Sequence, residues 1–193
     1  MITDTLPIPN KTTIRLTVVV VVAMTVLFWA PGKGYTQQAR EYQVKAAFIY
    51  NFIKFIQWPD TAFKNDTDPF HICIIGNDIP SSQFQSIKGK KFGERTIEVY
   101  HVKHGEIHDN PNILFVGKDI SIENYRRHMS VLENKPVLII GETPDFIQWG
   151  GVINFIFRNE RLGFEISPKA ARNRGLTLSS RLLKLSVIVD KTQ

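Results

Sequence analysis

Three histidines carry the sequence's only spacing suggestive of metal ligands. His101, His104 and His108 follow one another as H-x2-H-x3-H, with Glu106 and Asp109 close by. A metal site needs such side chains to converge about 2 Å from one ion. A loop containing Gly105 does not enforce that convergence, so the spacing predicts a solvated loop and no metal. His71 and His128 are too isolated in sequence to be given a role. A second polar concentration, RGLTLSS, sets a glycine turn before a helix N-terminus. Backbone N–H groups at such a terminus suit an anion or polar ligand, which makes Arg174, Thr177, Ser179 and Ser180 candidate ligand contacts. Ordinary capping would use the same serines. Phe146 and Trp149, just before Gly150 and Gly151, would line a pocket or a partner surface, or form a packed turn.

Other chemistry is not supported. No Walker loop, dinucleotide fingerprint or nucleophile elbow appears, and GKKFG from Gly89 to Gly93 lacks the strand-to-helix context of a phosphate loop. The carboxylates are scattered, and nothing pairs a candidate base with a nucleophile. The expectation is a protein that is not an enzyme and needs no cofactor. Cys73 is the only cysteine, so no intrachain disulfide can form. Its place within the apolar run Ile72 to Ile75 predicts a small buried hydrophobe.

The formal net charge of the 193 residues is +6. Lys11, Arg15, Lys33 and Asp4 precede residue 35, so 21 cations face 17 carboxylates beyond it, a net charge of +4. Without a Lys/Arg block or a basic helix face, this mild excess does not predict nucleic-acid binding. Residues 1–34 read as a secretory signal peptide. Lys11 and Arg15 precede Leu16 to Ala30, a 15-residue uncharged run within the usual signal length and short of the roughly 20 residues of a comfortable bilayer span. Ala30, Gly32 and Gly34 offer cleavage positions. An uncleaved N-terminal anchor is the alternative, and both readings place residues 35–193 outside the cytoplasm.

The elements that must position these residues are organised around Glu41 to Pro59, EYQVKAAFIYNFIKFIQWP. At helical spacing Val44, Ala47, Phe48, Phe52, Phe55 and Ile56 form an apolar stripe, widened by Ala46, Ile49, Tyr50 and Ile53. A polar seam of Asn51, Lys54 and Gln57, with Lys45 further back, is left, and Pro59 is expected to end the helix. Either a core or a second chain would cover such a helix, and Phe48, Phe52, Phe55 and Trp58 are the candidate partner or dimer contacts. Tyr35 to Arg40 reads as a polar lead-in.

Further along, Phe70 to Gly76, Asn112 to Gly117 and Val137 to Gly141 read as short buried strands, and Arg95 to Val102 as an alternating edge strand. Helices are expected over Ser81 to Lys88 and from Ser121. Val152 to Arg158 and Arg161 to Ile166 read as a hairpin turning at Asn159-Glu160. Ser167-Pro168 opens a helix closed by Gly175, and a last helix runs from Ser179 or Ser180 to the C-terminus. The order predicts a single α/β domain over residues 35–193. Its mostly parallel sheet of five to six strands is flanked by helices, with an antiparallel hairpin near its C-terminal end.

In combination, VKAAFIYNFIKFIQWP, FHICIIGND, NILFVG, VLIIGE, GGVINFIFRNERLGFEIS and GLTLSSRLLKLS resemble the YfiR family of exported bacterial proteins. The resemblance covers roughly residues 41 to 189. It implies a periplasmic α/β domain, often dimeric, that holds a membrane diguanylate cyclase inactive by binding its periplasmic sensor region, with effects on cyclic-di-GMP and biofilm. Better-known relatives use several cysteines for stabilising disulfides; with Cys73 alone, redox control of that kind is not expected here. The leading expectation is therefore a non-enzymatic regulator of a membrane signalling protein. The alternative is a periplasmic small-molecule sensor module, with its site near Phe146, Trp149 and the Arg174 to Ser180 turn.

Overall fold

The computed structural model describes residues 33–102, 107 and 111–189. The chain divides into two units, Met1–Gln38 and Ala39–Gln193. Of the first, only residues 33–38 are described, as the opening of helix α1, Lys33–Ile53. The anticipated signal run, Leu16 to Ala30, lies outside the described residues. No described helix is long and apolar enough to cross a membrane.

The second unit holds an eight-stranded sheet. Its strands in chain order are β2 Phe70–Ile75, β3 Lys91–Phe92, β4 Arg95–Val102, β5 Ile113–Val116, β6 Leu138–Gly141, β7 Ile153–Arg158, β8 Arg161–Ile166 and β10 Val187–Ile188. They lie side by side as β10-β8-β7-β6-β5-β2-β4-β3. Strands β4, β2, β5, β6 and β7 pair in parallel. The antiparallel β7–β8 hairpin turns through Asn159 and Glu160 at φ 48° and 62°, the left-handed pair that a two-residue turn requires. A small separate sheet joins β1, Ile56–Gln57, to β9, Thr177–Leu178, antiparallel. The expected five to six strands are all present. The two additional ones, β3 and β10, span two residues each at the sheet's edges and are too short to leave a periodic signal.

Both faces of the sheet are covered, which accounts for its continuous apolar runs. Ile72, Ile74, Ile113, Phe115, Leu138 and Ile140 join one core cluster with α1. The intervening Cys73, Ile75, Leu114, Val116 and Ile139 join a second. Helix α2, Ile122–Val131, contributes Tyr125 to that second cluster, and Ser121 caps it as expected. Helix α3, Pro168–Asn173, is capped by Ser167, and Gly175 follows at φ 69°.

Several local expectations are corrected. Helix α1 begins at Lys33, so the polar lead-in Tyr35 to Arg40 is helical, as its Gln, Ala and Arg residues favour. It also ends at Ile53 rather than at Pro59, because Ile56 and Gln57 leave the helix to pair with Leu178 and Thr177. Its buried stripe is rotated from the predicted one. Tyr42, Lys45, Ala46, Ile49, Phe52 and Ile53 are buried, whereas Val44 and Ala47 are exposed. Ser81–Ser86 is a 3₁₀ segment entered from Pro80 without a side-chain cap, not a serine-capped α-helix. The last helix, α4, Ser180–Lys184, stops well short of the C-terminus, since Leu185 is left exposed and Val187–Ile188 pair with Glu165–Ile166.

Candidate functional site

Two constellations lie at the ends of the strands. Strand β2 sits between β4 and β5, so the connections leaving β2 and β5 diverge, an arrangement that opens a crevice at carboxyl ends in α/β sheets. Here the junction is filled by carboxylates. Asp119, after β5, accepts the Asn77 backbone N–H at 2.7 Å and its side-chain amide at 3.2 Å. Gly76 and Gly117 make room for it: a Cβ on either would lie 2.7 Å from an Asp119 carboxylate oxygen.

One strand along, Glu142 follows β6. Its carboxylate accepts the Tyr42 hydroxyl at 2.7 Å and the Lys118 backbone N–H at 3.1 Å, and it pairs with Lys45. Lys45 also pairs with Glu41 and lies 4.7 Å from the centre of the Tyr42 ring. Burial, reinforced by the Glu142 charge, holds the Tyr42 hydroxyl well above the usual tyrosine range. The network ties α1 to the strand ends through charge-assisted bonds away from solvent. Lys45, which sequence reasoning set behind the polar seam of Asn51, Lys54 and Gln57, is buried. Its signals were a glutamate four residues earlier and another directly after VLIIG.

The second constellation is a cavity of about 460 Å³ between α2, the turn from Thr143 to Gly151 and α3. Tyr125, Met129 and Trp149 give it apolar walls, and Arg126, Lys169 and Arg174 bring positive charge. The half-buried Arg174 donates to the Leu132 carbonyl at 3.3 Å and approaches Met129 Sδ at 3.9 Å. Burial lowers its pKa from the ordinary arginine value, partly offset by Tyr125. Burial likewise pushes the Tyr125 hydroxyl up to about 12, against the opposing pull of Arg174. The hydroxyl has no hydrogen-bond partner among the described residues.

A family description, YfiR/HmsC-like, matches residues 42–187. The chain belongs to the YfiR/HmsC-like family. The YfiR/HmsC-like match takes in the sheet from β2 to the start of β10, the Lys45–Glu142 network and the cavity. Among curated proteins none matches the chain.

The residues singled out from the sequence are distributed over three places. Phe146 meets Tyr125 edge-on and Trp149 meets it tilted, at ring separations of 5.3 and 5.9 Å. Trp149 and Arg174 line the cavity, while Phe146 is fully buried beneath it. Thr177, Ser179 and Ser180 are carried elsewhere. Thr177 pairs with Gln57, and Ser179 donates its backbone N–H to the Phe55 carbonyl and caps α4 with its hydroxyl. Thus Arg174 lines the cavity and Thr177, Ser179 and Ser180 do not. Phe52 is buried against Phe155 and Phe164 at 6.0 and 4.9 Å. Phe48, Phe55 and Trp58 are half-buried, with Phe48 against the same two rings and Trp58 against Phe70. His104, His108, Glu106 and Asp109 lie outside the described residues. His101 Nε2 sits 2.6 Å from the Gly76 carbonyl, and Cys73 is buried. Sequence reasoning missed Arg126 and Lys169, because single cations on two helices distant in sequence leave no spacing to detect.

Proposed function

We propose that this chain is an exported regulatory protein, without catalytic activity of its own, that binds the periplasmic sensor region of a membrane diguanylate cyclase and restrains it. The observation that carries this reading is the YfiR/HmsC-like match over residues 42–187, which spans nearly all of the described sheet. Export is supported by the Lys11 and Arg15 charges ahead of the Leu16 to Ala30 run. The proposed partner or dimer surface is the apolar rim along α1 and β1. Phe48, Phe55 and Trp58 are half-buried there, Val44 is 46% exposed, and the buried Phe52 meets Phe48 at a ring separation of 5.9 Å. Phe55 faces Arg181 at 6.0 Å, so the rim joins apolar surface to a cation.

Co-purification of the tagged full-length chain from its host's membranes tests the reading. The expected partner is a membrane protein with a diguanylate cyclase domain, recovered with wild type and lost with Val44→Asp/Phe55→Asp. Recovery of the chain alone, with unchanged cyclic-di-GMP after its removal from the host, would contradict it.

A further inference from the structure

We infer that the cavity between α2, the Thr143 to Gly151 turn and α3 binds a small organic anion, a carboxylate or phosphate carried on a flat apolar body. Its volume of about 460 Å³ falls within the usual range for small-molecule sites, roughly 300–1,000 Å³. Among its lining side chains Arg126, Lys169 and Arg174 are cationic and Glu133 alone is anionic, so the cavity carries a positive excess. The neighbouring cavity beside β7 is the opposite, lined by Glu142, Asp145 and Glu165, and would repel the same ligand.

Arg174 is the centre of the site. Its contact with the Leu132 carbonyl lies at the end of α2, where a cation is favoured in any case. That contact and the Met129 sulfur leave most of the five guanidinium donors unused, and among the described residues Arg174 has no ion pair. A guanidinium partly withdrawn from water without a counter-ion is suited to a carboxylate or phosphate, which it grips with two parallel bonds. Tyr125 adds an independent observation. It lines the cavity at 1% exposure, and its hydroxyl is buried without a partner. A buried unpaired hydroxyl is costly, and a ligand or a water that it carries would satisfy it. The flat body follows from the half-buried Trp149, whose ring meets Tyr125 at 5.9 Å and offers a stacking wall.

The inference is independent of the proposed partner, because its test uses the chain alone. Isothermal titration of the full-length protein with adenosine monophosphate and with benzoate distinguishes a phosphate from a carboxylate, and adenosine is the neutral control. One of the two anions is expected to bind saturably, to change tryptophan fluorescence in wild type but not in Trp149→Phe, and to outcompete adenosine. Arg174→Gln should weaken that binding by about tenfold or more, the loss of one charge-assisted contact. Since Arg174 also contacts Leu132, the double variant Arg126→Gln/Lys169→Gln, altered on the cavity's other two cations, provides a second reading and should weaken it similarly. Absence of saturable heat with both anions would overturn the inference. So would binding that is unchanged in the double variant, or equal for adenosine.

Discussion

Lys45 and Glu142 each expose 3% of their side chains, so neither charge has water to fall back on. Breaking such a pair leaves an uncompensated buried charge, which typically costs about 3–5 kcal/mol. Glu142→Gln should lose about 3 kcal/mol in urea unfolding, the lower end of that range, because Glu41 still reaches Lys45. Lys45→Met/Glu142→Gln should lose less than the single change, since the new side-chain amide still offers an oxygen to Tyr42 and Lys118 and no charge is stranded. A double variant weaker than the single would refute this account of the network. Close packing sets the second expectation at this scale. A Cβ on Gly141 would stand 2.3 Å from the Phe146 ring and one on Gly151 at the same distance. Gly151→Ala should therefore cost about 1–3 kcal/mol by forcing the ring aside, with altered near-ultraviolet circular dichroism from Tyr125 and Trp149. Burial and then the Arg127 charge lower His128 from 6.5. The unfolded chain takes up that proton first, so stability is fully present above pH 6.5 and declines as pH falls through the lower folded value. His128→Gln should flatten the acid side of the stability profile, as chemical unfolding at several pH values would show.

Helix α1 is held by its face, not by its length. Phe52→Ala should cost about 3–5 kcal/mol, whereas Val44→Ser on the outward face should change stability by less than about 0.5 kcal/mol; equal effects would mean the helix is not seated as described. Much at this scale was legible in the sequence. Short β-branched runs ending in glycine identified β2, β5 and β6, and Ser121 and Ser167-Pro168 marked the starts of α2 and α3, because those signals are local. The failures were tertiary. Periodicity could not distinguish two overlapping stripes on α1, since apolar residues occupy most of its circumference and burial of Lys45 depends on Glu142, 97 residues away. Nor could it end the helix at Ile53, because β1 exists only by pairing with β9. Of the expected ligand residues, Trp149 and Arg174 meet at the cavity while Thr177 to Ser180 do not. The capping signal was real, but Ser179 uses it on α4.

At the scale of the molecule, a two-faced sheet leaves its function to its edges and strand ends. The carboxylate row seals the junction of β2 and β5 with internal bonds, the cavity opens beside α2 and α3, and the half-buried aromatics lie along α1 and β1. The proposed ligand cavity and the proposed partner surface therefore involve different residues of the chain. At this scale the proposed function is restraint of a cyclase. The most direct measurement is cyclic-di-GMP synthesis from GTP by host membranes stripped of this chain, titrated with the purified protein. Synthesis is predicted to fall saturably with wild type and much less with Val44→Asp/Phe55→Asp; synthesis that stays constant across the titration would contradict the claim.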